Sequence, residues 1–254
     1  MGMRHKSPWF QGFWIGLGLI LGGFVWMYSL PAEDAAWVVA EWSQQKILLA
    51  NPVGTIWNGS AELGLANAQG DIQFWPKRIR WNLGLSKNGL ELSGYDNAGG
   101  GPWVLDFGVQ ALTVQAGRVR WPARFLWGLG VPFTTLGIDG VMDTRWTATK
   151  LFYTPPVLRQ SWRVEGTAQA VSARISSVNP LGDYRVKVEW GALGGVMNLE
   201  TIQGPLLLSG QGRWQGNGFH FDGTASAVDN QINSLAGLLG ILGQKQGNIS
   251  HLSY

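Results

Sequence analysis

Hydrophobic and polar positions follow three rhythms along this chain. From Ser7 to Ala32 no side chain is charged, and Phe13 to Leu30 reads FWIGLGLILGGFVWMYSL. A helix needs ~20 predominantly apolar residues to cross a bilayer (about 17–25), so residues 12–30 are predicted as a transmembrane helix. Its apolar surface is carried by Phe13, Trp14, Leu17, Leu21, Val25 and Trp26. Trp9 and Trp14 at one end, and Trp26 and Tyr28 at the other, fit the aromatic belts of membrane interfaces. Arg4 and Lys6 precede the run, while Glu33 and Asp34 follow it. Basic residues stay cytoplasmic, so the tail 1–11 is expected inside and the rest of the chain outside. The competing reading is a cleaved signal peptide. Leu30-Pro31-Ala32 is a poor small-x-small cleavage site, and the run is longer than the ~7–15 residues of a signal h-region, which favours retention. Either way the domain crosses the membrane. Gly12 with Gly16, and Gly18 with Gly22, have the spacing that lets two membrane helices approach closely, although glycine is frequent in such helices for other reasons.

The second rhythm is helical. In residues 31–50, Ala35, Val38, Val39 and Trp42 recur at i, i+3, i+4 and i+7, with Pro31 suited to a first turn and Glu33 and Asp34 to the positive end of the helix dipole. This connector is expected to pack under the following domain or to lie on the membrane surface.

The third rhythm has period two. Ile79, Trp81, Leu83 and Leu85 alternate with polar or small residues; so do Leu112, Val114 and Ala116, and Met142, Thr144, Trp146 and Ala148. Val186, Val188 and Trp190 alternate with Arg185, Lys187 and Glu189, and Phe219 and Phe221 with His220 and Asp222. Half-buried strands separated by Gly, Asn and Asp read this way. Asn88-Gly89 and Gln69-Gly70-Asp71 are good hairpin turns, and residues 97–102 form a flexible connection. The predicted fold is mainly β: a transmembrane helix, a short helix, then a curved antiparallel meander of repeated hairpins over residues 51–254. Two stretches interrupt it. Pro122 to Gly137 reads as a turn of helix and a loop. Asn230 to Gly243 places Ile232, Leu235, Leu238, Leu239 and Leu242 on one helical face, with Asp229 or Asn230 as cap, and is expected to fold back onto the sheet.

A weak internal repeat runs through the strands. Arg80-Trp81, Arg120-Trp121, Arg145-Trp146 and Arg213-Trp214 share one dipeptide, and Glu189-Trp190 is its charge-swapped relative. On a strand this sends the charge to one face and the indole to the other. Trp81, Trp121, Trp146, Trp190 and Trp214 therefore mark a candidate apolar face, to be filled as core or left in part as a groove for lipid or a partner.

Composition agrees with this picture. Of 254 residues, 37 are Gly and 15 are Trp, and only 14% are charged against about 25% in an average soluble domain. Glycine costs ~1 kcal/mol inside a helix, which argues against a mainly helical chain. The net charge of +3 is spread without a basic run, so nucleic acid is not an expected partner. With no cysteine, disulfides and thiol chemistry are excluded. His5, His220 and His251 are scattered, and His220 beside Asp222 reads as a solvated pair. There is no nucleophile elbow, zinc motif, dinucleotide fingerprint or phosphate loop. An enzyme is therefore not expected, nor a cofactor or metal.

Three segments carry a resemblance. Gly54-Thr-Ile-Trp-Asn-Gly-Ser-Ala61 shortly after the anchor, Leu126 to Trp146, and Leu235 to Gly243 with Gln246-Gly247 together resemble the type II secretion system protein N family, in order, length and N-terminal topology. The repeated-hairpin sheet is similar, more distantly, to AsmA-like envelope proteins. The resemblance implies an accessory inner-membrane component of the apparatus that exports folded proteins from the periplasm. Its N-terminus would be cytoplasmic, its main domain periplasmic, and its partners other secretion-system subunits. The AsmA-like likeness implies the alternative, a lipid-binding or lipid-transfer element using the Trp-rich face.

Overall fold

The computed structural model describes residues 21–23, 25–96, 102–129, 133–157, 160–192, 194–215 and 218–253. Phe13, Trp14 and Leu17, with Gly12, Gly16 and Gly18, lie outside these, as does most of the connection at 97–101. Residues 21–23 and 25–28 are helical and exposed. Among the described residues no helix is long and apolar enough to cross a membrane.

The first helix, α1, spans Ala32–Trp42, ending well before Ala50. Gln44 and Gln45 take left-handed φ values of 54° and 62°, which halts the helical path. The Ser43 hydroxyl accepts a hydrogen bond from the Ile47 N–H at 3.0 Å. The chain then enters β1 (Ile47–Gly54), because Ile47 and Leu49 find cross-strand partners in Leu65 and Leu63 of β2 (Asn58–Ala66). The residues predicted as helix beyond Trp42 thus divide between a turn at 43–46 and the start of β1 at 47–50: pairing partners outweigh weak helical periodicity.

From there the chain is a succession of strands in two antiparallel sheets. β3 (Ile72–Phe74) pairs with β2, as does β4 (Ile79–Ser86). β5 (Gly89–Asp96), β6 (Trp103–Gly108) and β7 (Ala111–Val114) extend the first sheet in order. The Asn88-Gly89 and Gly70 turns fall where the sequence places them, with Gly70 at φ 89° and Gly89 at φ 146°. The second sheet starts from β8 (Gly117–Pro122) and β9 (Ile138–Trp146). β10 (Thr149–Phe152) returns to the first sheet beside β7. β11 (Trp162–Ala173), β12 (Gly182–Gly191), β13 (Gly194–Gln203), β14 (Leu206–Gln215) and β15 (Gly218–Ala227) then form an uninterrupted meander.

The two sheets share one pair of strands. Val114 sits opposite Thr149 and Gly117 opposite Trp146, a single register continuing from β7–β10 into β8–β9. Residues 115–116 and 147–148 leave the ladder between them. The inward positions, even-numbered at Leu112 and Val114, become odd-numbered at Val119 and Trp121, so the direction of the apolar side resets at this break. The Gln115 N–H bonds to the Val104 carbonyl at 3.0 Å, and the Thr147 N–H to the Arg163 carbonyl at 3.0 Å.

Between β8 and β9 the chain forms a 3-10 segment (Ala123–Leu129) and the single turn α2 (Phe133–Leu136), in agreement with the expected turn of helix. α3 spans Ile232–Leu242, after a 3-10 turn at Asp229–Gln231. Gln231 stands at its N-cap with no side-chain cap bond, so neither Asp229 nor Asn230 caps it. Leu235, Leu238 and Leu239 are buried, as the periodicity indicates. The chain continues past the helix into a hairpin the pattern did not reveal: β16 (Gln244–Gln246) and β17 (Ile249–Ser253), which pairs with β15.

Candidate functional site

The alternation places the apolar positions of each sheet on one side. On the first sheet these are Ile47 and Leu49, Ala61 and Leu63, Trp81 and Leu83, Leu90 and Leu92, and Trp103 and Phe107, brought into line by the register. α1 lies over one end of this face. Ala32, Ala61 and Trp81 are buried together beneath it, with Leu49, Leu92 and Trp103 packed around them. The rest is open: Leu85 is 88% exposed at the end of β4. Between α1 and β4–β6 lies a cavity of about 650 Å³, lined by Ala35, Val39, Leu83, Leu90, Leu92 and Phe107 among others, all apolar.

On the second sheet the inward residues are Val164, Val186, Val188, Met197, Leu199, Phe221, Ala225 and Leu252, together with Trp121, Trp146, Trp162, Trp190 and Trp214. α3 covers one end, burying Leu235, Leu238 and Leu239 against Leu206, Ala225 and Leu252. A smaller cavity of about 260 Å³ remains between this helix, the 3-10 segment and the sheet. The Tyr184 phenol is buried at its edge, within hydrogen-bonding distance of the Leu206 carbonyl at 3.0 Å and the Leu181 carbonyl at 3.1 Å. Burial pushes its pKa well above the usual phenol range. From this core toward the other end runs an aromatic row that starts at Phe221: Phe219 and Phe221 at 6.5 Å, Trp214 and Phe219 at 4.5 Å, and Trp190 and Trp214 at 4.9 Å between ring centres.

The two faces meet at the 3-10 segment. Trp75 beside β3 stacks on Trp121 at 6.4 Å and meets Phe125 edge-on at 5.0 Å. Gly128 lies so close to Leu65 that a Cβ there would fall 2.8 Å from the Leu65 Cβ.

The five tryptophans singled out from the sequence therefore have different surroundings. Trp81 is 8% exposed and donates from Nε1 to the Ile56 carbonyl at 3.1 Å. Trp121 donates to the Thr144 hydroxyl at 2.9 Å, and Trp146 to the Gln115 carbonyl at 2.8 Å across the break between sheets. Trp190 and Trp214 stand half-buried in the aromatic row. The arginine before each of the four Arg-Trp tryptophans is exposed, as alternation requires. Leu21, Val25 and Trp26 of the expected anchor are exposed on the described helical residues.

Sequence reasoning passed over the glycines opposite these rings. A Cβ on Gly59 would overlap the Trp81 indole, one on Gly94 the Trp103 indole, and one on Gly117 the Trp146 indole. Gly195 lies between Trp190 and Trp214 on neighbouring strands and leaves room for both. The abundance of Gly and of Trp is thus one feature: large rings lie flat across strand positions that have no side chain. Trp75, Trp103 and Phe125 were missed because no repeat marks them.

The outer face of the second sheet is charged and self-neutralising. Arg163 pairs with Glu189 at 2.8 Å, and Arg185 reaches Glu165 at 3.4 Å and Glu200 at 3.0 Å. Asp143 is buried under Arg118, whose Nε donates to it at 2.8 Å; the second guanidinium nitrogen also contacts it. That hydrogen bond holds the Asp143 carboxyl below the usual carboxylate range. His220 and Asp222 sit on the exposed side of β15, opposite Arg213 and Gln211. Among the described residues no group of three or more His, Asp and Glu is placed to hold a metal ion. What the arrangement offers chemically is surface: two apolar sheet faces, each covered at one end by a helix.

The family described as Type II secretion system (T2SS), protein N matches residues 45–250. No curated protein and no solved structure matches, so the likeness to AsmA-like proteins rests on the sequence pattern alone.

Proposed function

Since this chain belongs to the type II secretion system protein N family, we propose that it is an accessory component of a type II protein secretion apparatus acting through protein–protein contacts in the periplasm. In this reading residues 12–30 hold it in the inner membrane with the tail 1–11 in the cytoplasm, residues 31–50 connect, and residues 51–254 form the periplasmic domain. The observation that carries the proposal is the family match across nearly the whole β domain. Scattered histidines, the lack of cysteine and solvated charge pairs support a scaffold over a catalyst. The open end of the first sheet, with Leu85 and Val109 at 88% and 92% exposure, supplies apolar surface for a partner. Gentle extraction of the full-length chain from its native membrane, followed by native mass spectrometry, is expected to retain secretion-apparatus subunits. A chain that emerges free of them, and whose deletion leaves secretion unchanged, overturns the proposal.

A second reading is favoured by the cavity of about 650 Å³ under α1, whose lining would accept an acyl chain. It predicts lipid that stays bound after residues 1–30 are removed and is lost in Phe107→Glu. Phe107 is 38% exposed and tolerates the change better than Trp81, which the fold needs as core.

A further inference from the structure

The exposed side of α1 carries two tryptophans, Trp37 and Trp42, close to the end of the anchor sequence. We propose that this face lies in the interfacial layer of the bilayer leaflet from which residues 12–30 emerge, with Trp37 and Trp42 seated among lipid headgroups; the inference rests on the reading of 12–30 as an anchor.

The chain between anchor and helix is short and tied down. Only Pro31 separates Leu30 from the start of α1. The Leu30 carbonyl accepts from the Ile56 N–H at 3.0 Å, and Pro31 bridges to Thr55. The Trp57 indole donates to the Met27 carbonyl at 2.9 Å and stacks on Tyr28 at 5.9 Å. The last turn of the anchor sequence is therefore fastened to the β domain, and α1 is held beside the point where the chain leaves the bilayer.

α1 turns Ala32, Ala35 and Val39 toward the sheet. The rest of the helix is exposed, with Trp37 at 67%, Val38 at 54% and Trp42 at 82%; the two indoles lie about 140° apart around the helix, with Asp34 and Glu41 exposed in the arc between them. Tryptophan prefers the membrane–water interface, where the ring is apolar and the N–H stays wet. The carboxylates of Glu33, Asp34 and Glu41 share this exposed side with the tryptophans, and α1 has no basic residue in its last turn. A zwitterionic headgroup layer suits this charge; a strongly anionic one would repel it.

The absence of cysteine permits single-site labelling of the full-length chain. An environment-sensitive fluorophore (NBD) is attached at Val38→Cys, Val25→Cys or Asn198→Cys, and each protein is reconstituted in phosphatidylcholine vesicles carrying shallow or deep nitroxide lipids. Expected are loss of emission to shallow nitroxides at position 38, loss to deep nitroxides at position 25, and none at position 198. The variant Trp37→Glu with Trp42→Glu, built on the Val38→Cys chain, should lose the shallow quenching while keeping its melting transition. Quenching at 25 with none at 38 overturns the proposal and leaves the anchor standing, as a water-facing or protein-covered helix would give. An unquenched position 25 overturns both. Shallow quenching that survives the double Glu variant also overturns it, because the tryptophans then do not seat the helix.

Discussion

At Gly59 the backbone takes an ordinary strand conformation, yet no side chain fits. The Trp81 indole crosses the space a Cβ would fill, and the Thr55 carbonyl lies 2.8 Å from it. Overpacking of this kind costs ~1–3 kcal/mol. Gly59→Ala should therefore unfold at lower urea concentration than the native chain, and Gly59→Val lower still. Equal midpoints would mean the ring can slide, which its bond to the Ile56 carbonyl opposes. The reason for each glycine was not legible from the chain, because register decides which glycine faces which ring. The side taken by the four Arg-Trp tryptophans was, because alternation with arginine already sent them inward; that of Trp103, opposite Gly94, was not.

Helices and hairpins carry the next level. α3 contributes three buried leucines to the core of the second sheet, with Leu239 1% exposed. Leu239→Ala is expected to cost ~2–5 kcal/mol, seen as a lower melting temperature by circular dichroism. The β8–β9 hairpin carries Arg118 and Asp143 as a cross-strand pair. Because the Asp143 carboxyl is depressed in the folded protein, its contribution is present above the unfolded value of about 4 and is lost as pH falls through the lower native value. Asp143→Asn should melt below the native protein near neutral pH, and the gap should close on acidification toward about pH 3. A gap constant with pH would mean that Asp143 acts by packing alone. The existence of α3 was readable from its leucine spacing. The end of α1 and the C-terminal hairpin were not, since both depend on a strand partner distant in sequence.

Across the whole molecule the two sheets are joined by the continuous register of residues 111–122 and 138–152, which is expected to couple their opening. Trp146 fastens the break between them by its bond to Gln115 and by lying over Gly117. Trp146 is only half-buried, so Trp146→Ala is expected to cost less than the ~3–5 kcal/mol of a buried ring. Its signature is where protection is lost: hydrogen exchange should accelerate in β7 and β10 of the first sheet as well as in β8 and β9 of the second. Acceleration confined to the second sheet would show that the sheets open independently.

The sequence by itself determined the mainly β character, the inward side of most strands, the charged outer face, the amphipathic C-terminal helix and the family resemblance. Each is written in local spacing or in an ordered set of short motifs. Only the tertiary structure decided that β10 returns to pair with β7, that α1 turns Trp81 into core, and that the aromatic row of the second sheet runs from the core under α3 out to Trp190. Alternation states which side of a strand is apolar; it carries no information about what lies opposite. That depends on register and on where two short helices come to rest, both set by contacts between residues far apart along the chain.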